Sequence, residues 1–102
     1  ISGGENISSV EVEGVLMSHP SVQEAAVVGL PDQDWGETPH GFVVLVPGVT
    51  LTESELIEYA RKNMAHFKVP RRVEFVTGLP KTATGKIQKY ILRNRSSAIS
   101  IQ

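Results

Sequence analysis

The hydrophobic pattern changes period several times along the chain, and each change marks an element. Val12, Val15, Leu16 and His19 share one face of a 3.6-residue repeat, which predicts a helix over 8–18. Ser8 and Glu11 have capping-box spacing at its start, and Pro20 marks its end. The run Val10-Glu11-Val12-Glu13 also alternates as a strand would, so both periods fit locally. Ala25-Ala26-Val27-Val28 is a continuous apolar run closed by Gly29 and Pro31, which predicts a strand over 22–30 buried on both faces. A polar loop over 32–37 holds the only tryptophan, Trp35, and a second apolar strand follows over 41–46, closed by Pro47-Gly48.

The plainest helix lies over 52–65. Thr52 and Glu55 form a second capping box, Leu56, Ile57, Ala60 and Met64 line one face, and Arg61 and Lys62 sit where the helix dipole favours cations. A third strand is predicted over 72–76, a Pro-, Thr- and Gly-rich loop over 79–86, and a short helix carrying Lys89, Arg93 and Arg95 over 87–95. Residues 96–102 read as a frayed tail. The order helix, strand, strand, helix, strand, loop, helix predicts a small α+β domain, with a sheet of about three strands flanked by helices.

Composition narrows the function classes. A chain of 102 residues, 40% hydrophobic and 21% charged, is one ordinary domain. A net charge of -1 argues against general affinity for nucleic acid. No apolar run approaches the ~18 residues of a membrane-spanning helix. With no cysteine there are no disulfides, thiolate metal sites or cysteine nucleophiles, which fits a reducing compartment, and a cytoplasmic location is expected. His19, His40 and His66 have no spacing that would join them as ligands, so no metal site is expected. Glu11 and Glu13, two apart, do not share a helix face and are given no acid-base role. The chain opens on Ile1-Ser2-Gly3-Gly4 without an initiator Met, which reads as a fragment of a longer protein.

Four segments could carry chemistry. Gly78-Leu79-Pro80-Lys81-Thr82-Ala83-Thr84-Gly85-Lys86 suggests a phosphate loop but departs from one. Six residues separate the glycines where such a loop has about four, and Ile87 stands where a Ser or Thr would meet magnesium. What remains is a hydroxyl-rich turn and a lysine presented by a glycine. It is either a solvated turn lysine or a point charge for a phosphate or carboxylate. Gly3-Gly4 is either a turn into the first helix or a place of close backbone approach to a ligand. Trp35 is either a lid on the core or a platform on which a base stacks. The basic run Lys86, Lys89, Arg93 and Arg95 is either a solvated face or an attractor for a polyphosphate.

Together the motifs carry a resemblance. Residues 1–13, Ile-Ser-Gly-Gly-Glu-Asn-Ile-Ser-Ser-Val-Glu-Val-Glu, resemble the hinge-proximal motif of the acyl-CoA synthetase, adenylation-domain and luciferase superfamily of adenylate-forming enzymes. Gly29-Leu30-Pro31-Asp32 through Trp35-Gly36-Glu37 resembles its G-x-P-D-x-x-x-G-E segment, Phe67-Lys68-Val69-Pro70 its aromatic-K-x-P stretch, and 79–87, Leu-Pro-Lys-Thr-Ala-Thr-Gly-Lys-Ile, its terminal lysine motif. The resemblance runs from Ile1 to Arg95, so residues 1–95 are expected to be the mobile C-terminal domain, with the large N-terminal domain and the hinge outside this chain.

The resemblance implies an ATP-dependent ligase, most like a fatty-acyl- or aryl-CoA ligase. Such an enzyme makes an acyl-adenylate from a carboxylic acid and ATP, then passes the acyl group to coenzyme A. Mg2+ would accompany ATP and be bound mainly by the large domain, and a domain alone would be inactive. Lys86 is implied as the catalytic lysine of adenylation. Gly3 and Gly4 would border the pantetheine channel, and Trp35 and Phe67 would lie near the coenzyme A adenine. Some relatives carry a basic residue where this chain has Val69, and Lys68 would replace it toward a phosphate. Lys81 is expected to face away from the chemistry. Two alternatives are the same domain in an adenylation enzyme that loads a carrier protein, and a free-standing, non-catalytic binding module.

Overall fold

A computed structural model describes residues 9–32, 36–65 and 68–94. Ser8, the expected cap of the first helix, lies outside them. Helix α1 is Ser9–Met17, so the helical period prevails over the local alternation. Val12 and Leu16 are fully buried, and Val15 packs beside them. Strand β1 is Val22–Asp32 and strand β2 is Gly36–Leu45, paired antiparallel. Helix α2, Glu53–Asn63, crosses back to strand β3, Arg72–Phe75, which pairs parallel to β2. The sheet order is β1-β2-β3, and residues 89–94 form a last helix, α3. The expected three-stranded α+β architecture is present.

The capping box of α2 is complete. Thr52 Oγ1 accepts from the Glu55 amide at 3.1 Å, and Glu55 Oε1 accepts from the Thr52 amide at 2.9 Å. The two satisfy donors that the first turn leaves orphaned.

The hairpin is longer than its sequence suggests. Pairing continues through Leu30↔Thr38, Pro31↔Glu37 and Asp32↔Gly36, so Pro31 does not end β1, and the polar loop expected over 32–37 shrinks to three residues between the strands. Pro31 is tolerated because β1 is an edge strand, where a missing amide need not break a ladder. Gly36, at φ +79°, takes the left-handed conformation that turns the chain into β2. Gly29 explains another part of that segment: a Cβ there would meet the Glu37 side chain, with Cδ at 2.6 Å. The bare backbone lets Glu37 lie across the strand.

Apolar side chains fill both faces of the sheet. On one face Ala25, Val27 and Val43 meet Val12 and Leu16 of α1, Leu56 and Ala60 of α2, and Val69 and Val73. On the other, Ala26, Val28, Leu30 and Phe42 are covered by Leu92 of α3, with Val76, Leu79 and Ile87 beside it. The continuous apolar run in β1 is what two-sided burial requires.

Each outer strand presents one backbone donor to a glutamate. The Val27 amide donates to Glu13 Oε2 at 2.8 Å, and the Val73 amide donates to Glu53 Oε2 at 2.8 Å. Each carboxylate also meets a cation: Lys89 Nζ lies 2.7 Å from Glu13, and Arg72 Nε 3.0 Å from Glu53. The Val73 hydrogen bond is the main reason that the Glu53 pKa falls below its ordinary value. Burial opposes the shift, while Arg72 and His40 reinforce it.

Two predictions follow from this packing. Unfolded chains bind a proton at Glu53 more readily than the fold does, so its contribution is full above the ordinary glutamate pKa of about 4.3 and is lost as pH falls through the folded value. Urea titrations followed by circular dichroism should find Glu53→Gln less stable at pH 7 by about 1 kcal/mol, because the pair is partly solvated. The gap should close as pH falls through the lowered Glu53 value. A pH-independent gap would mean that the carboxylate charge does not matter. Gly41 is the second case, since a Cβ there would stand 3.2 Å from Leu16 Cδ1. Gly41→Val should lift α1 from the sheet and cost about 1–3 kcal/mol in the same titration, with Gly41→Ala costing less.

Candidate functional site

The segment 80–88 is a small hairpin closed by its own backbone. Lys81 and Ile87 form an antiparallel bridge, and the Gln88 amide donates to the Pro80 carbonyl at 2.8 Å. Inside it, the Thr82 amide donates to the Lys86 carbonyl at 2.8 Å and the Gly85 amide to the Thr82 carbonyl at 2.9 Å. Gly85, at φ +91°, takes the left-handed turn position that a side chain would strain. Thr82 Oγ1 accepts from the Lys86 amide at 3.1 Å and lies 3.0 Å from Thr84 Oγ1. The threonines and the glycine thus fix the turn from within, which accounts for the Thr-Ala-Thr-Gly run.

Lys86 leaves this turn exposed. Among the described residues its ammonium has no ion-pair partner, although Lys68, Lys81 and Lys89 each have one. A cation on a fixed backbone with its charge unspent is suited to meeting an anion supplied from outside. The hairpin's half-buried Leu79 and Ile87 root it on the sheet face that holds Phe42 and Leu92.

Lys68 belongs to the opposite side. It adjoins Val69, which packs in the first core cluster, and its Nζ pairs with Glu11 Oε1 of α1 at 2.9 Å. The structure therefore does not bring Lys68 and Lys86 together; the sheet lies between their elements. The other expected site residues, Gly3, Gly4, Trp35 and Phe67, lie outside the described residues.

Two glutamates given no role in the sequence do have work. Glu13, with its side chain 14% exposed, joins α1 to β1 and to Lys89, which also donates to Ser9 Oγ at 3.1 Å. Glu24 Oε1 lies 2.8 Å from Lys81 Nζ. Lys81 thus turns to the sheet rather than to the open side taken by Lys86. Only the charge at Glu24, just before an apolar run, hints at this in the sequence.

Comparison with known proteins shows the family. The family described as AMP-binding enzyme C-terminal domain matches residues 11–86. A 2-methylpropanoate–CoA ligase of Humulus lupulus is 57% identical over 96 residues, 92% of this chain and 17% of the ligase. A peroxisomal trans-cinnamate:CoA ligase of Petunia hybrida is 48% identical over 101 residues, 99% of this chain and 18% of its own length. A fatty acyl-CoA synthetase structure from Mycobacterium tuberculosis superposes with a TM-score of 0.87 at 41% identity, covering 97% of this chain and 20% of that one. The chain thus spans under a fifth of the length of the curated relatives it matches. With a matching family profile over most of its residues and the same fold in a solved relative, this chain belongs to the AMP-binding enzyme C-terminal domain family.

Proposed function

We propose that residues 1–95 are the mobile C-terminal domain of an ATP-dependent acyl-CoA ligase and that Lys86 is its adenylation lysine. The observation that carries this reading is the exposed Lys86 on its internally braced hairpin, without an ion-pair partner among the described residues. The names of the relatives support coenzyme A as the acceptor.

In the first step a carboxylate oxygen of the acid attacks the α-phosphorus of ATP. The bond to pyrophosphate breaks, and acyl-adenylate and pyrophosphate result. Negative charge concentrates between the attacking oxygen and the phosphoryl oxygens, and Lys86 Nζ bridges them, stabilising and aligning the transition state. In the second step the coenzyme A sulfur attacks the acyl carbonyl carbon, AMP leaves with the bonding pair, and the thiol proton passes to solvent. The lysine has to withdraw before the thiol can approach, so the domain rotates against the large N-terminal domain. Gly3, Gly4, Trp35, Phe67 and Lys68 then serve the coenzyme A side.

Mg2+ enters with ATP. Its ligands are proposed to come mainly from the nucleotide and the large domain. No helix among the described residues is long and apolar enough to cross a membrane. The cytoplasm is the proposed location, with the peroxisome of the petunia relative as the alternative.

Half-reaction assays on the full-length enzyme separate the roles. Lys86→Ala should slow pyrophosphate release on the order of 100-fold or more. With preformed acyl-adenylate and coenzyme A, the same variant should turn over nearly as the parent does. Equal loss in both assays would refute the assignment of Lys86 to adenylation alone. Gly4→Leu should show the opposite split: pyrophosphate is released in the first turnover, and transfer to coenzyme A is slowed. If Gly4→Leu leaves transfer intact, Gly4 does not border the channel.

A further inference from the structure

Strand β1 carries one irregularity. Val22 pairs with Leu45 and Glu24 with Val44, so the register shifts by one residue at Gln23. Side chains alternate along a strand, so an extra residue exchanges the faces on either side of it. Val22 and Ala25 accordingly lie in the same core cluster although they are three positions apart. Beyond the shift the pairing is regular, so Glu24 lies in phase with Ala26 and Val28, on the face that holds the lysine hairpin. In a regular strand Val22 would fall on the face of Glu24, away from the first cluster of apolar side chains.

On its actual face Glu24 meets Lys81, with Oε1 and Nζ 2.8 Å apart and the side chains 31% and 38% exposed. Lys81 is the N-terminal partner of the bridge that closes the hairpin, and Lys86 directly precedes Ile87, the partner on the other limb. Residues 83–86 are exposed. Among the described residues, Glu24–Lys81 is the ion pair that runs from residues 81–86 to the sheet.

We propose that Glu24 and Lys81 are a positioning pair that sets the pose from which Lys86 reaches the reacting phosphate. The inference rests on the adenylation role of Lys86. The turn is rigid inside but meets the sheet through Leu79 and Ile87, and apolar contacts resist tilting less than they resist separation. An ion pair at the base of the hairpin fixes the tilt. A partly solvated pair contributes little to folding, yet small displacements of an aimed group are costly in the transition state.

The test measures pyrophosphate release by the full-length enzyme carrying Glu24→Gln, Lys81→Met, or the exchange Glu24→Lys with Lys81→Glu. Each single change should lower kcat for adenylation about tenfold, less than Lys86→Ala does, with the KM for ATP held. Thioester formation from preformed acyl-adenylate should stay at the parent rate, and the exchange should recover most of the loss. A general folding defect would slow both half-reactions and would not be rescued by the exchange, and that result would overturn the proposal. So would single variants within about twofold of the parent beside a crippled Lys86→Ala. If Lys86→Ala itself adenylates normally, the role of Lys86 fails, and the pair loses its purpose with it.

Discussion

Burying both faces of a small sheet leaves its backbone exposed at the two outer strands, and an unpaired donor there invites another chain. Here the layers that cover the sheet also reach around its edges. Glu13 comes from α1 to the Val27 amide, and Glu53 from the start of α2 to the Val73 amide. Each carboxylate is balanced by a cation from a different segment, Lys89 or Arg72, so neither is left as an uncompensated charge. Glu13 matters more to the architecture. It joins α1, β1 and α3 at one carboxylate, and so ties the helix on one face of the sheet to the helix on the other.

That tie has a mechanical consequence. In the proposed cycle the domain shows different segments to the large domain in turn. Lys68 is anchored on α1 by Glu11, and Lys86 is rooted through Leu79 and Ile87 in the second core cluster. With the sheet between them and α1 joined to α3 around its edge, the domain can move as one body. Rotation then exchanges the two elements at the active site without a change inside the domain.

Local signals in the sequence were legible where the physics is local. The Thr52–Glu55 box and the helical face of Val12 and Leu16 were found where expected. So was the two-faced apolar run of β1. One proline misled: Pro31 reads as a strand end in isolation, but at a sheet edge it removes nothing that the ladder needs. The lysine motif was readable as a turn, and its hydrogen bonds give Thr82, Thr84 and Gly85 their reasons. The long-range side-chain links could not be read. Glu13 meets a residue 14 positions away and Glu53 one 20 positions away. No periodicity announces which carboxylate will cap which edge. The bulge was equally silent, because Gln23 is an ordinary polar residue whose effect appears only in the pairing with β2.

A catalytic lysine that has to travel faces two demands that pull apart. During transit its charge should remain unspent, because an internal ion pair would have to be broken at the active site. On arrival its direction should already be set, because ordering a long flexible side chain costs about 1.5–2 kcal/mol of entropy even before its backbone is fixed. The hairpin answers both by dividing the labour between neighbours. Lys81 is held by Glu24 and Lys89 by Glu13, while Lys86 is left to the solvent. The backbone beneath Lys86 is braced by the Gly85 amide's bond to the Thr82 carbonyl and by the Thr82 hydroxyl rather than by any contact with its ammonium. Of the three lysines at residues 81–89, the one unpaired among the described residues is the one that the proposed chemistry uses.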